Sequence, residues 1–152
     1  MRFILTKELG RLAKWLRILG FDAAYFKDNN TSSLIIAALR DERVILTRNL
    51  RIARLRGIKV LSIQAQEVKP QIQEVFSLTG FQFNPQMMFT RCILCNEELA
   101  DITKEKVEGN VPAYVYATQQ NFVACPKCQR IYWQGTHWGN VRRCLEEIEG
   151  NA

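Results

Sequence analysis

Cys92-x-x-Cys95 and Cys125-x-x-Cys128 place four thiols in two pairs separated by twenty-nine residues. Each pair closes a tight turn with both sulfurs on one side. Two such turns facing each other supply a tetrahedron of thiolates, the arrangement Zn²⁺ prefers in closed structural sites. The spacer exceeds the roughly fifteen to twenty residues of the commonest pattern, and a β-hairpin insertion would take up the excess. Redox Cys-x-x-Cys motifs come singly within a thioredoxin-like βαβ pattern, which is absent here. Structural disulfides are disfavoured in a reducing cytosol. Iron–sulfur ligation stays open to the same four donors. A closed four-thiolate site has no free coordination position, so its expected role is to stabilise a small unit rather than to catalyse. Cys144 reads as a small buried residue on a terminal helix, and the lone His137 as packed among its aromatic neighbours.

A second group of residues falls at the ends of two apolar runs. RFILT leads into Lys7 and Glu8, and RVILT leads into Arg48 and Asn49. Lys7, Arg11, Arg48 and Arg51 crowd these ends, with Glu8 the acid nearest the first of them. Basic side chains without balancing carboxylates favour direct phosphate binding over metal binding. The wider charge pattern agrees. Residues 1–80 hold fourteen Lys/Arg against seven Asp/Glu, whereas residues 81–152 hold seven against eight. A basic first half points to a polyanion, most simply nucleic acid, although the same charge also serves as a solubilising surface.

The elements that must position these residues are legible as alternating patterns. Arg2–Thr6, Ala23–Phe26, Arg43–Thr47 and Ile58–Ile63 read as short strands. Between them, Leu9, Leu12, Ala13, Leu16 and Leu19 recur at helical spacing, with Arg11, Lys14 and Arg17 assigned to another face and Gly20 as the stop. Thr31 or Ser32 is the expected cap of a helix carrying Leu34, Ile35, Ala38 and Leu39. A short basic helix is expected near Leu50–Arg56, and another from Pro70 to Gly80. This order predicts a mostly parallel sheet covered by helices on both faces, with ligands beyond the carboxyl ends of the strands. FQFNPQMMF then reads as a linker or docking segment. Ala113–Thr118 and Asn121–Ala124 read as strands of a small antiparallel unit, and Val141–Ile148 as a terminal helix. No apolar run approaches the ~20 residues that span a bilayer. The N-terminus lacks the apolar core of a secretory signal. A cytoplasmic protein without a membrane partner is the expectation.

LGRLAKWLRILGFD, RVILTRN, TRCILCNEEL and CPKCQRIYWQGTHW, taken in order, resemble one family. It is the PIN-like RNase family named after the C-terminal region of the exonuclease Mut-seven, fused to a zinc ribbon. The resemblance implies a PIN-like α/β domain over residues 1–82 and a zinc-ribbon domain with a terminal helix over 83–152. It also implies a metal-dependent ribonuclease, whose strand-end Asp and Glu residues hold Mg²⁺ or Mn²⁺. The sequence departs from that pattern at the strand ends. Thr6 stands where the family has the Asp of a phrase like FLVD, and Asn49 where it has the Asp of LTRD. A further acidic position falls near Asn30, Thr31 and Ser32. Glu8 and Asp22 are the remaining acidic candidates, with Asp22 also suited to a turn or capping role; Asp28, Asp41 and Glu42 read as solvated charges. Three functions follow: an RNA- or polyanion-binding protein with a degenerate site, an active ribonuclease using a rearranged acid set such as Glu8, Asp22 and Asp28, or a protein-interaction module built on Tyr132, Trp133 and Trp138.

Overall fold

Four apolar triplets and quartets form the sheet at the centre of the molecule: β1 (Phe3–Leu5), β2 (Ala23–Tyr25), β3 (Val44–Thr47) and β4 (Val60–Ser62). A computed structural model of the chain describes residues 1–135. All strand pairs are parallel, in the order β2-β1-β3-β4, with Leu5 opposite Leu46 and Leu46 opposite Leu61. Each crossover is a helix: α1 (Gly10–Ile18), α2 (Thr31–Arg40) and α3 (Leu50–Ala53), with α4 (Val68–Thr79) following β4. Successive side chains of a strand point to opposite faces, and the burial follows that period. Phe3, Leu5, Val44 and Leu46 pack with Leu12 and Leu16 of α1 and Ile72 and Val75 of α4. Ile4 and Ile45 pack on the other face with Leu34 and Ala38 of α2 and Ile52 of α3.

Three local expectations are corrected. Asn30 caps α2, its Oδ1 accepting from the Ser33 N–H at 3.0 Å, so Thr31 is already the first helical residue. Ile36 and Leu39 of α2 are exposed, because two buried positions, Leu34 and Ala38, suffice to cover that strip of sheet. Arg17 does not share the solvent face of Arg11 and Lys14. It is buried, for reasons that involve the second unit.

Residues 81–89 dock on the first unit: Phe81, Phe83, Met88 and Phe89 join the α1–α4 core. Gly20 makes that docking possible. Its φ is +92°, and a Cβ built there would lie 2.2 Å from the Met87 carbonyl oxygen. Gly20→Ala is therefore expected to cost about 2 kcal/mol or more, roughly 1–2 of it from the left-handed backbone and the rest from the clash with the Met87 carbonyl. Thermal unfolding should show a midpoint lower by roughly 4–8 °C, at about 2–4 °C per kcal/mol for a chain of this size.

The second unit is a three-stranded antiparallel sheet, β5 (Ala100–Ile102), β6 (Phe122–Ala124) and β7 (Ile131–Trp133), in that order. Ala113–Thr118 is a helix, α6, not the expected strand; it follows α5 (Lys104–Val107). Pro112 sits immediately before α6 and its carbonyl accepts from the Val115 and Tyr116 amides at 3.0 and 3.1 Å. One side of AYVYAT, at Val115, finds a core and Tyr114 stays exposed, so tertiary context overrides its strand propensity. The core is small, with Val107, Val115 and Phe122 buried and Trp133 edge-on to Phe122 at 6.4 Å. Cys144, His137, Trp138 and the expected helix over Val141–Ile148 lie outside the described residues.

Candidate functional site

The sheet order fixes where a ligand can sit. The chain leaves β1 toward β2 and returns to β3 on its other side, so the strand order reverses between β1 and β3. Loops part there, leaving a crevice beyond the carboxyl ends. Thr6 follows β1 and Thr47 ends β3, and both are buried. Their hydroxyls lie 3.0 Å apart.

Glu8 reaches into this crevice from the 3-10 turn Lys7–Leu9. One carboxylate oxygen, Oε1, accepts from the Thr6 hydroxyl at 2.6 Å, the Thr47 hydroxyl at 3.2 Å and the Arg48 N–H at 3.0 Å. Burial pushes the Glu8 carboxyl up, but these bonds, from Thr6 foremost, outweigh it and hold it below the usual carboxylate range. Asn49 donates its N–H to Thr47 Oγ1 and caps α3, its Oδ1 accepting from the Arg51 N–H at 2.9 Å. A hollow of about 100 Å³ adjoins the cluster, lined in part by Thr6, Lys7, Glu8, Asp28, Thr31 and Asn49. Asp28 Oδ1 accepts from the Asn29 and Asn30 amides at 2.6 and 3.2 Å.

Of the residues singled out in the sequence, Thr6, Lys7, Glu8, Asp28, Thr31, Arg48 and Asn49 thus meet at one place. Lys7, Arg11, Arg48 and Arg51 are exposed, and none is ion-paired among the described residues. Arg11, near the start of α1, is not part of the hollow's lining. Asp22 lies at the opposite, amino edge of the sheet, just before β2. It accepts from Arg43 at 2.6 Å, Asn96 Nδ2 at 2.7 Å and Arg2 at 3.1 Å. Burial pushes its carboxyl up, yet these donors lower it to about 2. Thr47, at the end of RVILT, joins Thr6 in the strand-end cluster, since ILT closes both RFILT and RVILT and adjacent parallel strands bring the two threonines side by side.

A hard divalent cation needs converging oxygen acceptors. Here two hydroxyls and an amide converge as donors on the oxygen of Glu8, and the Asp28 oxygen is engaged by two amides. The residues do not fit a resident Mg²⁺ or Mn²⁺. Among the described residues, the one set of three or more acidic, His or Cys groups close enough to share an ion is the four cysteines.

Those cysteines are presented by two matching turns. Cys92 N–H donates to the Glu97 carbonyl and Asn96 N–H to the Cys92 carbonyl, with Asn96 at φ 64°. Cys125 N–H likewise donates to Arg130 and Gln129 N–H to Cys125, with Gln129 at φ 59°. All four sulfurs lie within 4.8 Å of one another, and Cys92 and Cys128 are 3.7 Å apart. A tetrahedron of sulfurs at 2.3 Å from zinc has edges of about 3.8 Å, so the donor set fits that ion. The Tyr132 hydroxyl lies 3.1 Å from Cys92 Sγ and accepts from the Ile93 N–H. Burial raises the Cys92 thiol, but Tyr132 and nearby amides bring it down to about 7. Tyr132 and Trp133 are thus engaged inside the second unit.

The two units meet at the first of these turns. Arg17 Nε donates to the Ala23 carbonyl at 2.8 Å, while its Nη1 donates to the Ile93 and Leu94 carbonyls at 2.7 and 3.2 Å. Asn96 Oδ1 accepts from the Ala23 N–H at 3.0 Å. Neither Arg17 nor Asn96 stands out in the sequence, because a helix-borne Arg and a turn Asn are common on surfaces. No curated protein and no solved structure matches the chain. A family model described as the Mut7-C RNAse domain matches residues 1–145, which takes in both the strand-end cluster and the four cysteines. The chain belongs to the Mut7-C RNAse domain family.

Proposed function

We propose that the protein binds RNA, or another polyanion, at the carboxyl edge of its parallel sheet without cutting it, and that its four thiolates hold a structural Zn²⁺. In this reading residues 1–82 supply the binding surface and residues 83–152 the metal-stabilised module. The observation that carries it is the donor-rich centre at the strand ends. Thr6, Thr47 and Arg48 N–H point at an anion, and Asn49 spends its side-chain oxygen on capping α3. Lys7, Arg11, Arg48 and Arg51 supply the surrounding positive charge.

Phosphate contacts release counterions, so binding must weaken with salt, with a slope of about −0.7 per contact for single strands. Four such contacts give a slope near −3 and an affinity loss of about fifty-fold between 50 and 200 mM salt. Fluorescence anisotropy with a labelled single-stranded RNA measures this. Arg48→Gln and Arg51→Gln should each flatten the slope by roughly 0.7. Affinity indifferent to salt would overturn the reading. The family membership keeps the ribonuclease alternative in view, and the same samples test it. Mn²⁺-dependent cleavage that persists through further purification and is lost in Glu8→Gln would establish the enzyme instead.

A further inference from the structure

We propose that Thr6 Oγ1, Thr47 Oγ1 and the Arg48 N–H form an oxyanion site that the protein fills with its own Glu8 carboxylate, and that a phosphate group enters by displacing Glu8. The proposal rests on the polyanion-binding reading above and adds an internal competitor to it.

Three observations carry it. The donors converge on a single atom, Glu8 Oε1, at 2.6, 3.2 and 3.0 Å. Hydroxyls and main-chain amides are among the groups that hold phosphate oxygens in nucleic-acid complexes. Two of the donors are also rigid, since Thr6 and Thr47 sit at the ends of adjacent central strands and are buried. The occupant, by contrast, is held by these hydrogen bonds without core packing. Glu8 is an exposed residue on a 3-10 turn whose apolar anchor is its neighbour Leu9, so no core packing opposes its withdrawal. It makes no ion pair with Lys7 or Arg48 among the described residues, and neutral donors alone keep it in place.

The third observation is space. The adjoining hollow of about 100 Å³ equals the share of about three waters, room for one tetrahedral oxyanion. A phosphate entering there would place one oxygen where Glu8 Oε1 now lies and others toward Lys7. Its opponents are the charges of Glu8 and of Asp28, which lines the same hollow. Glu8 therefore acts as a gate with a charge of the same sign as the ligand.

The test uses the full-length, zinc-loaded chain titrated with inorganic phosphate, followed through the Arg48 amide resonance. Removing a like charge about 4 Å away in a watery setting is worth about fivefold in affinity. Glu8→Gln and Glu8→Ala should both bind phosphate about fivefold more tightly than the parent. Adding Thr6→Val to Glu8→Ala should erase the gain. Unchanged phosphate affinity in both single variants, or a gain that survives Thr6→Val, would overturn the proposal. Glu8→Gln preserves the shape, so it decides the matter if Glu8→Ala fails to fold. The RNA titration is read separately. Salt-sensitive RNA binding with no phosphate gain would sink the gate and leave the binding surface standing. A phosphate gain without RNA binding would support the gate and remove RNA as the ligand.

Discussion

Stripped of the zinc proposed for its four cysteines, the protein is expected to lose the whole second unit while the parallel sheet persists in weakened form. The reason is the size of the core. Val107, Val115 and Phe122 are the buried apolar residues around which β5–β7, α5 and α6 assemble. So few cannot offset the ordering of more than forty residues at about 1–2 kcal/mol each. Zinc bound to four thiolates contributes on the order of 10 kcal/mol at neutral pH. Purified protein should contain one zinc per chain by elemental analysis and none in Cys125→Ser. After chelation, amide resonances of residues 91–135 should collapse to the unfolded range, while those of Phe3–Leu5 and Val44–Thr47 stay dispersed. A native spectrum in metal-free protein would show that the thiols are not the unit's main support. A visible charge-transfer band with iron in place of zinc would reassign the ion.

Arg17→Met should be the most damaging single change outside the cysteines. It removes the donors from three carbonyls, those of Ala23, Ile93 and Leu94, and leaves them facing an apolar side chain. Leaving a buried carbonyl without its donor costs about 1–3 kcal/mol, and three are affected here. The unfolding midpoint should fall by at least about 6 °C. Arg17→Lys keeps the charge but not the fork. A single ammonium cannot bridge both the Ala23 carbonyl and the Ile93–Leu94 pair, so it should recover less than half of the loss. Zinc release to a competing chelator should also quicken in Arg17→Met, because the first cysteine turn loses its brace. A variant with parental stability and parental zinc release would show that the two units hold together by other contacts.

The sequence makes the parallel sheet legible because its apolar runs are short and separated by helix-period segments. β1, β3 and α1 fall within a residue or two of expectation. The buried side of α1 is also correct in its leucines. Arg17 escapes the same reading because hydropathy assigns a guanidinium to solvent, and only the neighbouring turn makes a buried one satisfiable. α6 escapes for a related reason. AYVYAT carries strand-forming residues, yet Pro112 sets a helical start and β5 and β7 take the places beside β6. At the strand ends, residue types alone identify Thr6 and Asn49 as positions without charge. That Glu8 turns back onto Thr6 and Thr47 depends on the 3-10 turn, which leaves no periodic signature. Asp22 was read from sequence either as a surviving acid or as a turn residue. The fold places it at the amino edge, braced by Arg43, Arg2 and Asn96.

The N–H and C=O of Ala23 face away from β1, as alternate residues of a parallel edge strand must. Asn96 and Arg17 occupy both. An uncovered strand edge is a template on which other extended chains add themselves, and proteins cover such edges with charge, loops or helices. Here the cover is Arg17 of α1 on the carbonyl and Asn96 of the first cysteine turn on the N–H. Under the proposed zinc reading, half of that cover would depend on the ion. A chain lacking it would then present an open strand border, and its self-association should rise as metal is withdrawn, which light scattering during chelation would measure.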